Sequence, residues 1–585
     1  MLSRGEKQLD KIIILAMILA FGVALPKCDS AELRFKEDFL SRLVAWVPEI
    51  LKQQDPETGR FGTGVWIVND QEVMFPLAVA WSYKSPQNPY YRDSRVLDAI
   101  VKAGDALIAD MKPDGRWEFR KKDGSTWGDI YMPWTYAAWI KTYSLIRQSI
   151  SEKQRKRWDE ALIHGFSGIS ENSLKRVHNI PTNHAMALYI AGQVFQRPQW
   201  CDQAKSFMAR VVAEQDPAGF WSENHGPVIG YGYVYTDALG IYYAVSHDES
   251  VLPAIEKAVR FYSMFTYPDG SSVETVDERN PYHAGVRFPN TAFTLTPEGR
   301  RHVLRQIQRV NSHGGKISPD FCANYLLYGE EGVVEEQPDE NDFVFRLDDG
   351  KALIQRKGPW FICLSAYHCP INQSRWIQDR QNFLSIFHER CGLVLGGGNT
   401  KLQPLWSTFT VGNVSLLKHT PGDENPTFVP ADGLFHVPSS VGIGKTDPPK
   451  LALVYGPEKC SLEVQIKDSN TVNIRLTATH KSGMPVAAHL TFIPHVGKPV
   501  STQNMAEITL GEDEINISAE EAGGWIAHGG WTVSLPPGSS VLWPVLPHNP
   551  YRKDGHATVQ EGRIVVSIPF SSKENEHVVT IKVLP

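Results

Sequence analysis

The sequence predicts two segregated domains, an α-helical one followed by an antiparallel β-sandwich. Three observations predict it. From about residue 33 to 330, apolar residues recur at three- and four-residue spacing, the signature of helices with one buried face. Between those stretches a short Asp/Gly loop returns at a nearly regular interval. Beyond an acidic stretch that begins at Glu330 the apolar period changes from helical to two. Helices first and strands afterwards exclude an interleaved α/β fold.

The helical elements are expected at residues 35–53, 95–111, 134–146, 153–169, 183–195, 200–215, 235–245, 252–265 and 297–310. The loops between them share a theme: Asp55 to Phe61 with Gly59, Asp114-Gly-Arg-Trp117, Asp216 to Trp221 with Gly219, and Asp269-Gly-Ser-Ser. Asp55 and Asp114 lie 59 residues apart, and Asp216 and Asp269 lie 53 apart. Such a period suits one helical hairpin per repeat. Gly permits the tight turn, Asp caps it, and the aromatic folds back over the helix ends. Independent surface turns are the competing reading. Four instances, three of them with an aromatic close to the Gly, favour a repeat.

The stretch from Glu330 to Asp342 carries acids, Gly and Pro, as a linker does. After it, residues 461–466, 472–479, 488–493, 530–535 and 563–568 alternate apolar and polar positions between turn residues. The expected division is therefore 1–31 for an export signal, 32–330 for the helical domain, 331–342 for the linker and 343–585 for the sandwich.

At 585 residues with 42% hydrophobic and 21% charged residues, the chain is globular and long enough for separate cores. A net charge of −6 argues against nucleic acid as a partner. An anionic substrate would have to be held by local Arg, Lys and His. At the N-terminus Arg4, Lys7 and Lys11 precede an apolar run at 12–25, then Pro26, Lys27 and Cys28. That run reads as a signal peptide and not as a membrane span. The mature chain is expected to be periplasmic or extracellular with no transmembrane domain, a retained N-terminal anchor being the alternative. The seven cysteines show no C-x-x-C spacing and read as buried small hydrophobes.

The strongest chemical signal runs from Asp216 through Trp221, Glu223, His225, Tyr231 and Tyr233 to Tyr235. A histidine and a Gly/Tyr-rich stretch leading into a helix place imidazole and phenol at one rim. For any single tyrosine a packing role is the better reading; for His225 with one tyrosine, function leads. The second signal is Asn179-Ile-Pro-Thr-Asn183-His184 at a helix start, where unpaired N–H groups attract a carboxylate. Capping by Thr182 or Asn183 accounts for one residue there but not for His184. The third is Glu274 to His283 with Asp277, Arg279 and Arg287, after the Asp269-Gly turn. Its arginines suit anionic sugars, and a solvated charged loop is the bland alternative. Among sixteen tryptophans, Trp127, Trp134 and Trp221 fall in or beside rim loops where sugars can stack.

Asn183-His184 at a helix start, His225 with Tyr231-Gly, and the sandwich that follows resemble the heparinase II/III-like and chondroitin/hyaluronate/alginate lyase group. Arg375-Trp376-Ile-Gln-Asp-Arg380 and the His388-Glu-Arg-Cys-Gly segment add to the likeness. The resemblance covers most of the chain in architecture and short motifs in sequence, without singling out one family. It implies an incomplete (α/α) toroid followed by an antiparallel β-sandwich, and β-elimination at a uronic acid of an acidic polysaccharide. It also implies Asn183 on the carboxylate, His225 as base with His184 competing, and Tyr231, Tyr233 or Tyr235 as the acid. Trp376 and Arg380 would close the cleft from the sandwich. No cofactor is expected; the one metal the resemblance allows is structural, in the β region that holds His368, His388 and His419. A glycoside hydrolase using Glu274 with Asp277 or Glu223 is the rival enzyme, and a noncatalytic glycan-binding protein is the third reading.

Overall fold

The computed structural model describes residues 31–335 and 342–584. The basic N-terminal stretch, the apolar run after it and Cys28 lie outside the described residues.

The helices sort into two rings by composition. The outer ones are α1 (Lys36–Leu51), α3 (Ser94–Asp110), α5 (Glu152–Asn172), α7 (Pro198–Ala213), α9 (Leu252–Met264) and α10 (Pro297–Ser312), each with one apolar face turned inward. The inner ones are α2 (Met74–Ser82), α4 (Pro133–Ile146), α6 (Asn179–Val194), α8 (Ile229–Ser246) and α11 (Pro319–Tyr328). These are apolar nearly all round, as a helix enclosed by other helices must be; every residue from Met74 to Trp81 is buried. Contacts run α2 to α4 to α6 to α8, and through α11 back to α2. The result is an incomplete (α/α) toroid.

The Asp/Gly loops recur in geometry as well as in sequence. Gly59, Gly115, Gly219 and Gly270 all take positive φ, and the Asp of each turn accepts a backbone N–H from a residue just beyond it. Trp117 Nε1 donates to the Leu107 carbonyl, and Trp221 Nε1 to that of Val211, both ten positions back. Trp221, expected at the substrate, is thus a 2%-exposed core residue that pins a hairpin.

The acidic stretch starts as part of the helical body. Gly332–Val333 pairs antiparallel with Glu32–Leu33, and Glu331 Oε1 accepts the N–H groups of Phe35 and Lys36 at the start of α1. From Asp342 onward the chain is strand-rich, in one eleven-stranded and one nine-stranded antiparallel sheet that share a core. Strands Ala352–Lys357, Trp360–Ser365 and Leu384–His388 are buried on both faces. Phe361, Cys363 and Phe387 face the toroid, while Trp360, Ile362, Leu364 and Ile386 face the second sheet. Trp360–Ser365 therefore reads as a nearly continuous apolar run without alternation.

The cysteines among the described residues are free, with Cys322, Cys363, Cys369 and Cys460 buried. No helix among the described residues is long and apolar enough to cross a membrane. His388 uses Nε2 on the Ser469 carbonyl and Nδ1 on the Arg390 N–H. Among the described residues no three His, Cys, Asp or Glu side chains gather as a metal cage.

Candidate active site

The starts of α6 and α8, the loop before α8 and the segment 274–287 meet at the face that the sheets cover. Glycine makes the approach of α8 possible: a Cβ on Gly232 would overlap the Tyr262 hydroxyl of α9. No side chain of its own caps α8. Asp277 does so from the adjoining segment, taking the Ile229 N–H at 2.7 Å. A carboxylate at that helix end meets its unpaired N–H groups and its dipole.

On this frame Tyr231 and Tyr235 lie one turn apart on one side of α8. The Tyr231 hydroxyl receives Arg279 Nη1 at 2.9 Å and lies 3.2 Å from the Tyr551 hydroxyl, which a sheet loop brings in. Arg279 also donates Nε to the Trp376 carbonyl, and its guanidinium covers the Tyr231 ring at 4.9 Å. Burial pulls the guanidinium down, but the Tyr231 and Tyr551 phenols outweigh it and hold the group above its usual value. Tyr551 is pushed up, first by its own burial and then by Tyr231. A cation donating to a phenolic oxygen favours negative charge on that oxygen.

Beside this pair sits a second one. Glu223, 7% exposed, accepts from the Tyr235 hydroxyl at 3.1 Å, lies 2.7 Å from His178 Nε2, and is 3.5 Å from Asn179 Nδ2. A buried carboxylate on one nitrogen fixes the orientation of an imidazole. One turn deeper in α6, Asn183 is 3% exposed and its Oδ1 has no hydrogen-bond partner among the described residues.

Aromatic and cationic side chains gather where the domains face each other. Trp127, from the hairpin formed by Trp117–Arg120 and Thr126–Ile130, meets the Trp376 ring at 5.1 Å. Arg375 and Lys553 lie over Trp127, at 5.7 and 5.9 Å. Trp134 is 36% exposed at the start of α4.

Several expected site residues fall elsewhere. His184 is buried, with Nε2 2.9 Å from the Tyr131 carbonyl; burial pulls it down to about 4, so it stays neutral. Tyr233 is stacked on Phe293 and burial pushes it up. Tyr235 stacks on Trp221 at 5.0 Å and serves Glu223. Arg380 is 1% exposed and gives its guanidinium to the carbonyls of Val276 and His225, tying the sheet to the toroid. The His225 side chain is exposed and faces a separate groove with Asp216, Lys351, Tyr367 and His368; Tyr231 does not line it. His283 and Arg287 line a cavity of about 340 Å³ together with Asn280, whose Oδ1 accepts from Tyr551.

The carboxylates of the rival hydrolase are already committed. Glu274 takes the Gly397 N–H and the Tyr267 hydroxyl. Asp277 takes the N–H groups of Ile229, Arg279 and Asn280. Sequence reasoning missed His178, Asn179 as a site residue, Tyr551 and the cations Arg375 and Lys553. His178 directly precedes the Asn179–His184 motif, and Tyr551 belongs to the other domain.

Residues 71–280 match the family model described as the ulvan lyase N-terminal domain. Among solved structures, the chain is similar to the chondroitin AC lyase of Streptomyces coelicolor A3, at 12% identity over 93% of this chain and 79% of that one, with a TM-score of 0.50. It is also similar to a Paenibacillus xanthan lyase, at 11% identity over 94% of this chain and 57% of that one, with a TM-score of 0.50. A comparison with curated proteins finds no match. The matched domain covers the segment that supplies His178, Asn183, Glu223, Tyr231 and Arg279, and the architecture is the toroid-plus-sandwich fold of these lyases. The family match supports glycan-cleaving lyase activity.

Proposed function

We propose that the protein is an exported lyase that cleaves a uronic-acid-containing polysaccharide by β-elimination at Tyr231. The observation that carries this reading is the Tyr231 hydroxyl held 2.9 Å from the Arg279 guanidinium, beside a His178–Glu223 pair at 2.7 Å. In the reaction a base removes the proton on C5 of the uronate. The electron pair forms a C4–C5 double bond as the C4–O bond breaks, and the leaving oxygen takes a proton. The uronate carboxylate must first be neutralised, because its charge opposes charge building up next to it. The N–H groups of the Asn183 side-chain amide, as donors, and the Arg279 guanidinium, as a cation, suit that task. We assign His178, oriented by Glu223, as the base and Tyr231 as the donor to the leaving oxygen. His225 and His184 have no part in this assignment.

Trp127, Trp134, Trp376, Arg375, Lys553, His283 and Arg287 are the groups we assign to sugar binding. The test is a panel of uronic-acid polysaccharides followed by ultraviolet absorbance and by reducing ends together. A lyase makes both rise, since each cut creates a conjugated unsaturated uronate. Reducing ends without absorbance would mean hydrolysis, and binding without either would mean a noncatalytic glycan receptor.

A further inference from the structure

A second charged cavity lies away from Tyr231, where α9 and α10 meet strands Asp342–Arg346, Ala352–Lys357 and Trp360–Ser365. Its volume is about 560 Å³. Arg301, Arg305 and Arg309 recur every four residues and so share one face of α10. Arg260 of α9 and Arg356 of the sheet complete a wall of five guanidinium groups, against the carboxylates of Glu256, Glu298 and Glu335. Arg301 lies 3.9 Å from Glu335, and Arg356 pairs with Glu389. Arg260 and Arg309 have no ion-pair partner among the described residues; Arg309 gives Nη1 to the Gln306 side chain.

Two buried nitrogens in the same wall lack partners among the described residues. His302 is 5% exposed and its Nε2 makes no hydrogen bond, and Arg356 Nε is likewise buried and unpaired. Buried polar groups are almost always hydrogen-bonded, so orphans that line a cavity are met there by water, an ion or a ligand. Burial and then the charges of Arg301, Arg309 and Arg356 pull Arg305 down to about 10. Arg305 has interactions of its own; an incoming anion meets Arg260, Arg309 and the two orphaned nitrogens. Phe343 and Phe361 in the wall lower the local dielectric and strengthen any such pairing.

We propose that this cavity is a second anion-binding site that takes an oxyanion, supplied either as a free tetrahedral anion or by an acidic group on a glycan chain. The site is independent of the elimination chemistry and can be tested whether or not the protein is a lyase. The experiment is calorimetric titration of the full chain with sodium sulfate, and separately with an acidic oligosaccharide, against sodium chloride at equal ionic strength. The wild type is compared with R260Q/R309Q and with R260Q alone. Arg260 is exposed, so R260Q keeps the fold even if the double variant does not.

Saturable binding that weakens about tenfold or more in the double variant is expected, since charge-assisted hydrogen bonds are the strong class. A smaller loss in R260Q is expected, with turnover of a short oligosaccharide unchanged in both. Saturation by sulfate alone assigns the site to a free anion. Binding of the oligosaccharide that sulfate competes away assigns it to the glycan. A response that matches chloride, or that is equal in wild type and both variants, overturns the proposal.

Discussion

At the scale of single residues, the proposed chemistry depends on which side chains turn toward Tyr231. Replacing Tyr231 by Phe removes only the hydroxyl, so turnover should fall about 10²- to 10⁴-fold, the range for a positioned proton donor, with a modest loss of thermal stability because Arg279 and Tyr551 lose a hydrogen-bond partner. H178A should cost a similar factor, and Glu223→Gln less, because it leaves the imidazole in place but weakens its anchor. H225A should leave turnover near that of the wild type, since His225 faces another groove. His184 gives a pH test. Folded it titrates near 4 against the usual 6.5, so between those values the unfolded chain binds more protons than the native one. Its contribution to stability is present above about pH 6.5 and lost as pH falls toward 4. H184N should therefore flatten the fall of melting temperature over that window; an unchanged slope would contradict the burial. Tyr231 and Arg279 were legible as types in chemically suggestive segments. His178 was not, because helix-start logic draws the eye to Thr182 and Asn183, and only burial shows that Glu223 turns inward while His225 turns out.

At the scale of elements, the repeat is what positions the chemistry. The Trp221-to-Val211 bond repeats the Trp117-to-Leu107 bond, so the loop before α8 hangs from a hairpin pin. Trp221→Ala should destabilise the fold by about 3–5 kcal/mol, the usual cost of truncating a buried aromatic, as read by chemical denaturation. Gly232→Ala should also destabilise, because its Cβ has no space beside Tyr262. The amphipathic outer helices were readable from period, and the short inner helix α2 was not, since its residues are uniformly apolar. Sandwich strands with one wet face, such as Thr471–Ala478, alternate and were legible. Trp360–Ser365, closed on both faces, was not.

At the scale of the whole molecule, the proposed site draws on both domains. The toroid supplies His178, Asn183, Glu223, Tyr231 and Arg279, and the sheets bring Tyr551, Trp376 and Arg375 to them. The sequence showed the two domains in order but not this cross-domain contact, because Tyr231 and Tyr551 are 320 positions apart. The most direct measurement follows ultraviolet-absorbing product from an acidic polysaccharide for the wild type, Y231F and H225A side by side. Absorbance should rise at similar rates with the wild type and H225A and hardly at all with Y231F. Full activity in Y231F, or its loss in H225A alone, would contradict the proposed chemistry.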